Sequence, residues 1–308
     1  MKYAPTKSAH VAILCAALSS LAAGAPTSHI HARQGCEAPY QRIDGAYEGH
    51  YMVEVAEGYT LDDHFKYLGG AFAVEVFWMK GVDIYVFDSG IAHLDEFKTA
   101  DGVDRVVDEL DMSDELSFED LDGHGTKVAT AIGGATRGIA RAATLRSVKI
   151  TQNNRPHSAV FVRALQVIIR RHIERAKSSD FRGSVCNFSL DLHTSAMAVK
   201  TIKWANAAGI TMIAAAGNHG YYTRHFPSSD PLVISVGAMQ EDYKPWKARG
   251  TIYSSNYGKN EVAVWAPGAG LQLFTNTGAP TIGSAGTSFA TGYVSGIYAL
   301  FYGNERLN

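Results

Sequence analysis

Residues 82–90 read Val-Asp-Ile-Tyr-Val-Phe-Asp-Ser-Gly, a largely apolar run that ends on a carboxylate and two turn-forming residues. A short apolar run closed in this way is typical of a strand that is buried on both faces in a parallel sheet. A carboxylate at the end of such a strand is costly to bury unless it is paired. Asp88 is therefore a candidate site residue, although an Asp that caps the following turn would fit the same pattern.

The segments that follow alternate between strand and helix patterns. The predicted strands and helices span, in chain order, 145–150, 158–177 (helix), 184–190, 196–208 (helix), 210–216 and 232–236. The buried face of the first helix is predicted from the spacing of Val162, Leu165, Ile169 and Ile173. Such alternation predicts an α/β fold with a mostly parallel central sheet and helices on both faces. The acidic segment 101–122 is interpreted as a solvated surface excursion.

Composition narrows the class of protein. The chain has 308 residues, of which 46% are hydrophobic and 19% charged, and its formal net charge is -2. This composition predicts a folded protein with a sizeable core, and the charge shows no basic stripe for nucleic acid. No stretch after the N-terminus is apolar enough to predict a membrane span.

Residues 1–25 have the pattern of a secretory signal peptide. Lys2 and Lys7 precede the apolar run 11–23, which is too short to span a bilayer, and small residues at 23–25 form a cleavage pattern. The alternative is a buried or anchoring N-terminal helix. Cys15 lies in this segment. Cys36 and Cys186 could form a disulfide if the fold brings them together. The apolar surroundings of Cys186 favour the alternative, in which Cys186 is a buried thiol.

The stretch Asp-Gly-His-Gly-Thr at 122–126 places an imidazole between two glycines at the start of a predicted helix. Flanking glycines allow close backbone approach and leave the ring accessible. Isolated histidines are usually structural, but this context is far rarer. His124 is therefore a candidate general base.

Two further stretches carry polar groups at structural junctions. Asn218 follows the small-residue run Ala-Ala-Ala-Gly at 214–217, and Ser288 lies in Gly-Thr-Ser-Phe-Ala at 286–290, where a helix is predicted to begin. An Asn amide and the backbone N–H groups of a helix N-terminus can each donate to an oxyanion. Taken singly, a Gly-Asn turn and an N-cap serine explain these two patterns equally well or better.

Together the four stretches resemble the subtilisin-like serine peptidases, particularly the secreted fungal proteinase K-like branch. The resemblance runs from about Val82 to the C-terminus and includes the order Asp, His, Ser known for subtilisin. It implies a catalytic triad of Asp88, His124 and Ser288, with Asn218 as oxyanion donor. It also implies an endopeptidase that acts on proteins or peptides as a monomer, without nucleic acid or membrane partners.

The resemblance also implies two walls of a substrate pocket. One wall comprises Ser189, Leu190 and Asp191, and the other Ala215, Ala216 and Gly217. Asp191 stands where the family has glycine, so a side chain replaces open space beside the substrate. No cofactor is expected for the reaction. Family members often bind structural calcium, but no ligand set can be placed from the sequence.

The resemblance divides the chain into a signal peptide (1–25), a shortened, inhibitor-type propeptide of α+β pattern (26–70) and a peptidase domain (71–308). Within the propeptide, 50–55 alternates like a strand and 60–68 has helical spacing. Other departures from the family are Lys127, Gly292, the segment 154–157 and a chain end soon after the serine helix. These departures keep open a catalytically silent binding protein of the same fold. An esterase is disfavoured because the chain lacks a Gly-x-Ser-x-Gly elbow.

Overall fold

A computed structural model describes residues 80–113, 117–151, 157–221, 225–258 and 262–303, and the backbone of 13–16 and 50–53. The two isolated strands, β1 (Ile13–Ala16) and β2 (His50–Val53), pair antiparallel. β2 falls in the strand predicted at 50–55. The rest of the predicted signal and propeptide segments, with the helix predicted at 60–68, and most of the segment 154–157 lie outside the described residues.

The main unit is built on a seven-stranded sheet in which every described strand pair is parallel. Its strand order is β4-β5-β3-β6-β7-β8-β9. The strands are β3 (Val82–Asp88), β4 (Val106–Asp111), β5 (Thr144–Lys149), β6 (Gly183–Phe188), β7 (Thr211–Ala215), β8 (Ile234–Met239) and β9 (Val264–Pro267). The predicted α/β class and parallel sheet are confirmed.

In the part of the chain that the structure describes, four helices cover the sheet: α1 (His124–Gly133), α2 (Ser158–Arg175), α3 (Ala196–Ala207) and α4 (Thr287–Gly303). A 3-10 turn, Asp95–Phe97, precedes β4. Tyr85 and Phe87 of β3 belong to a core cluster with α2 and α3, whereas α4 packs on β3 and β6–β9 and against α1. Because side chains alternate along a strand, Ile84 and Val86 point to the α1/α4 face. Helices therefore lie on both faces, as predicted.

Two strands of the seven-stranded sheet were not predicted. β4 lies in the segment interpreted as a solvated excursion, and that interpretation is wrong for 106–111. As the edge strand of the sheet it is buried only at Val106, so its sequence lacks the apolar run that marks a central strand. β9 is a four-residue edge strand at the opposite side.

The buried face of α2 differs from the predicted one. The side chains that α2 buries are Phe161, Val162, Ala164, Leu165, Ile168 and His172. Ile173, predicted to be buried, is 49% exposed. His172 takes the buried position because Ser184 Oγ and the carbonyl of Ala208 lie 2.9 Å from its two ring nitrogens. The hydrogen-bonded side chain of His172 thus occupies the buried position of α2 that the hydrophobic spacing assigned to Ile173.

Two buried polar side chains of β6 bear on covalent modification. Cys186 is a free, fully buried thiol, and burial raises its pKa well above the usual range. Asn187, which starts a potential glycosylation pattern, is also fully buried and donates through Nδ2 to Ser295 Oγ at 2.9 Å. Among the described helices, none is long and apolar enough to cross a bilayer.

Candidate functional site

The candidate site lies at the carboxyl edge of the sheet. Asp88 is the last residue of β3, and its side chain is only 2% exposed. The Ser89 N–H donates to Asp88 Oδ1 at 2.8 Å. The backbone is equally fixed, because the N–H groups of Ile150 and Thr151 both donate to the carbonyl of Asp88. The carboxylate is therefore held in a fixed position at the carboxyl end of a central strand, and its partners must be supplied by neighbouring segments.

His124 is the first residue of α1 and reaches this carboxylate. Its Nδ1 lies 2.8 Å from Asp88 Oδ1. Since a carboxylate accepts, Nδ1 carries the proton and Nε2 is the nitrogen left for another partner. The close approach depends on Gly125, where a Cβ would lie 2.1 Å from the carbonyl oxygen of Gly90 and 3.0 Å from Asp88 Cβ. The glycine that follows the histidine is thus required by packing.

Burial and charge act in opposite directions on His124. Desolvation lowers its pKa, but the negative charge of Asp88 and the hydrogen bond to it raise the pKa, and together they prevail. The pKa of His124 is therefore above its ordinary value. An imidazole in this environment gains a proton more readily than one in water.

Asp120 is a site residue that the sequence analysis missed. It lies in the acidic segment interpreted as solvated, yet it is 1% exposed. Its Oδ1 accepts from Ser89 Oγ and Gly123 N, each at 2.8 Å, and its Oδ2 accepts from Thr126 N at 2.9 Å and Thr126 Oγ1 at 2.6 Å. Asp120 thus ties the turn after β3 to the first turn of α1. Only tertiary contacts distinguish it from the exposed acids around it.

Ser288 is the second residue of α4 and is 8% exposed. Its Oγ donates to the carbonyl of Ser189 at 3.4 Å, and no hydrogen bond joins it to His124 among the described residues. The next residue, Phe289, packs against the His124 ring with 5.7 Å between centroids. The two helices approach closely because glycine occupies the contact: a Cβ at Gly296 would lie 2.7 Å from the carbonyl of Ile132. Ser288 and His124 therefore lie on neighbouring helix starts.

Asn218 follows β7 and faces the same helix start. Its Oδ1 accepts from Thr287 N and Thr287 Oγ1, both at 2.9 Å. Because a backbone N–H can only donate, the atom facing it is the carbonyl oxygen, and the amide Nδ2 remains as a donor. No described hydrogen bond uses the N–H of Ser288, which belongs to the unpaired first turn of α4. Two donors are thus available at the start of α4.

The two predicted pocket walls follow adjacent strands, β6 and β7, which pair in parallel. Ser189 is buried and its Oγ lies 2.9 Å from Asn187 Oδ1 and 3.0 Å from the carbonyl of Ser288. Leu190 is half-buried against the core cluster. The opposite wall, Ala215 to Gly217, is held by Asn256, whose Nδ2 donates to the carbonyl of Ala216 at 2.8 Å. Asn256 was noted only as part of a family-like stretch, not as a site residue.

Asp191, at the end of the first wall, is not a free carboxylate. Its side chain is 44% exposed, and its Oδ2 lies 2.6 Å from Nδ1 of His225. His225 directly precedes Phe226, whose carbonyl accepts from Leu192 N at 2.9 Å. The loop that carries His225 is therefore bound to the wall that carries Asp191, and the charge of Asp191 is met by an imidazole.

Replacing Asp120 with Asn tests how strongly this residue holds the site together. The amide has one acceptor oxygen, so the N–H of either Gly123 or Thr126 must face an NH₂ group. We expect Asp120→Asn to lower the free energy of unfolding by about 1–3 kcal/mol, the cost of an unsatisfied buried donor. Denaturant unfolding measures this change.

The matched control is Asp122→Asn, at an exposed acid two residues away whose Oδ1 accepts from His124 N. Asn caps a helix start about as well as Asp, so its effect should stay within about 0.5 kcal/mol. Equal effects of the two substitutions would contradict the role given to Asp120.

Comparison with known proteins places this arrangement in a family. Residues 79–306 match the model of the Subtilase family, Peptidase_S8. "Subtilisin-like serine protease Pen ch 18" of Penicillium rubens is 30% identical over 229 residues, which cover 72% of this chain and 44% of that protein. "Subtilisin-like protease 6" of Trichophyton equinum is 32% identical over 231 residues, 73% of this chain and 52% of that protein. The chain thus spans about half the length of these relatives.

The fold agrees with a solved structure of the same kind. The crystal structure of a cold-adapted subtilisin-like serine proteinase aligns with a TM-score of 0.60 and 27% sequence identity, covering 73% of this chain and 76% of that one. The match to the family model covers most of the described main unit, including all four candidate stretches. The chain therefore belongs to the subtilase family of serine peptidases.

Proposed function

We propose that the chain is a secreted serine endopeptidase that hydrolyses peptide bonds in proteins or peptides through Asp88, His124 and Ser288, with Asn218 as oxyanion donor. The observation that carries this proposal is the 2.8 Å hydrogen bond between Asp88 Oδ1 and His124 Nδ1. It fixes the tautomer that leaves Nε2 as a base, on a helix packed against the one that carries Ser288.

The proposed reaction begins when His124 Nε2 takes the Ser288 hydroxyl proton while Ser288 Oγ attacks the scissile carbonyl carbon. The imidazolium that forms is stabilised by Asp88, which stays ionised. His124 then gives the proton to the leaving amine, and the acyl group remains on Ser288. A water molecule, deprotonated by the same nitrogen, releases the acid and restores the hydroxyl.

The tetrahedral intermediate carries a negative oxygen, and two donors support its stabilisation. Thr287 holds the carbonyl oxygen of Asn218, and Nδ2 has no hydrogen-bond partner among the described residues. The Ser288 N–H lies at the positive end of α4. Both groups are pre-positioned, so they need no reorganisation as charge develops. The present bond from Ser288 Oγ to Ser189 is long, and rotation about χ1 frees the hydroxyl.

Secretion is supported by the signal-like segment 1–25. Monomeric action on peptide substrates is part of the same proposal. A catalytically silent binding protein is the second candidate. Two observations favour it: Ser288 Oγ bonds to Ser189 rather than to His124, and Asp191 replaces glycine beside the substrate path.

A fluorophosphonate probe separates these two functions, because it labels only a serine that a neighbouring base activates. We expect the full chain to be labelled once and to digest casein, and Ser288→Ala to abolish both. Ser178→Ala, at an exposed serine three residues beyond the end of α2, is the matched control and should change neither. A well-folded chain that resists labelling would favour the silent protein.

Asn218→Asp tests the oxyanion donor with almost no change in shape. The remaining oxygen still accepts from Thr287, but the amide donor becomes an acceptor. We expect kcat to fall by at least about 10²–10³-fold, the loss known for the corresponding donor in subtilisin, with a much smaller effect on KM. Steady-state kinetics on a peptide substrate measure both constants. Asn206→Asp, at an exposed position of α3, introduces the same charge and should leave kcat within twofold.

The raised pKa of His124 predicts the acid limb of activity. The base must be neutral, so kcat/KM should fall as the pH drops through a pKa above the ordinary histidine value of about 6.5. By linkage, the charged ring stabilises the fold at pH below the unfolded pKa, and this contribution is lost as the pH rises through the folded pKa.

Histidine titration by NMR in Ser288→Ala isolates the ring from turnover. Adding Asp88→Asn removes the charge that raises the pKa and leaves desolvation, so the midpoint should fall. A midpoint at or below the ordinary value in Ser288→Ala would contradict the electrostatic role of Asp88.

A further inference from the structure

Three side chains outside the proposed catalytic machinery converge beside the pocket walls. Asp191, His219 and His225 each offer one ligand atom, and these atoms all lie within 4.8 Å of one another. The group is the only such set of three or more histidine, cysteine or acidic side chains in the part of the chain that the structure describes. We infer that Asp191, His219 and His225 form a binding site for a divalent transition-metal ion of the zinc class.

The backbone of all three residues is fixed by the fold. His219 N donates to Asn256 Oδ1 at 2.9 Å, and the carbonyl of His225 accepts from Ser229 N at 2.8 Å. Asp191 is followed by Leu192, which bonds to Phe226 next to His225. The ligands therefore come from three segments that hydrogen bonds hold at one edge of the sheet. The site is preformed in its backbone and needs only side-chain adjustment.

The proton between Asp191 and His225 is the one that a metal ion would replace. Their Oδ2 and Nδ1 atoms are 2.6 Å apart, a hydrogen-bond distance. Zinc bonds of about 2.0–2.1 Å in a tetrahedral arrangement place neighbouring ligand atoms about 3.3 Å apart. Asp191 is 44% exposed and free to open by that amount. The ion displaces the bridging proton, which leaves to solvent or moves to Nε2 of the same ring.

Among the described residues, no hydrogen bond at the other ring nitrogen of His225 has to break for this exchange. Nε2 is buried, and no described residue hydrogen-bonds to it. Within the described part of the chain, no second bond therefore fixes which nitrogen carries the proton, in contrast to His172, where both nitrogens are held. The exchange at Nδ1 breaks only the bond to Asp191.

His219 supplies the third ligand. Its ring stacks on that of His225, with centroids 4.9 Å apart and 16° between planes. Rotation of the His219 side chain about its χ angles turns a nitrogen toward the same point as His225 Nδ1. The set is then two imidazoles and one carboxylate, with a fourth position open to water, which suits zinc-class ions. Calcium, which takes six to eight oxygen ligands, is disfavoured by the two nitrogens.

The proposed metal site lies next to the proposed substrate pocket, so metal binding is expected to affect catalysis; this expectation rests on the proposed peptidase function. Asp191 ends one pocket wall, and His219 directly follows Asn218. An ion bound there draws Asp191 and His219 together across the end of the pocket, so we expect it to inhibit peptide hydrolysis. Metal binding itself does not depend on catalysis and is tested separately.

The direct test uses the full chain carrying Ser288→Ala, so that neither autolysis nor catalytic failure affects the result. Zinc is titrated by calorimetry and in competition with a chromophoric chelator. We expect one ion per chain and no displacement by excess calcium. His225→Asn and His219→Gln should each weaken binding at least tenfold. Co²⁺ should give tetrahedral visible absorption that both substitutions remove.

Two histidines serve as matched controls. His193→Gln removes an exposed imidazole two residues from Asp191, and His93→Gln removes one that pairs with Asp104 and Asp108. Both should leave zinc affinity unchanged. Circular dichroism checks that every variant is folded, and a zinc-induced rise in melting temperature, present in the parent and absent in His225→Asn, gives a second readout. Absence of binding, or binding abolished by His93→Gln instead, overturns the inference.

The inhibitory consequence is measured in the active chain, as the ratio of rates with and without zinc. This ratio should fall in the parent and stay near one in His225→Asn, whatever the basal rate of that variant. If the chain binds zinc but has no peptidase activity, the proposed function fails and the metal site stands. If the chain is active but binds no zinc, the proposed function stands and the metal site is wrong.

Discussion

The buried carboxylate of Asp88 is the constraint on which the rest of the site depends. A charge at the end of a central parallel strand cannot be left without partners, because desolvating it costs several kcal/mol. The strand itself cannot shift, since β5 and β6 pair with it on both sides. The compensating groups must therefore be delivered by other segments: the turn after β3 and the first turn of α1. That requirement places His124 at a helix start and demands a residue without a Cβ at 125.

Much of this arrangement could be predicted from the sequence because it depends on local junctions. A carboxylate after an apolar run, an imidazole between glycines and a serine before a helical run each mark a place where regular structure begins or ends. In a parallel sheet, the carboxyl ends of strands share one edge, so such residues are expected to converge there. The structure places Asp88, His124, Asn218 and Ser288 at such junctions, at or just beyond the ends of the helices and strands that their patterns indicate.

The features that could not be predicted depend on contacts between distant segments. Asp120 reads as one acid among many, and only the four donors around it distinguish it from a solvated side chain. The phase of α2 was misjudged because His172 is buried through two hydrogen bonds, which no hydrophobic period records. β4 was missed because an edge strand exposes polar side chains. For Asp120 and His172, a distant segment supplies at least one hydrogen-bond partner that the local sequence does not show.

The chain contains two pairs of a carboxylate and an imidazole, and the two pairs differ in their exposure to solvent. Asp88 is 2% exposed, so its bond to His124 is closed to solvent and small ions, and the proton on Nδ1 stays in place while Nε2 is free to act. Asp191 is 44% exposed, and its bond to His225 opens toward solvent beside a third ligand group. The first pair is suited to holding one tautomer through a reaction. The second, whose bridging proton is accessible, is suited to exchanging that proton for a cation. Burial, rather than residue type, separates the two roles.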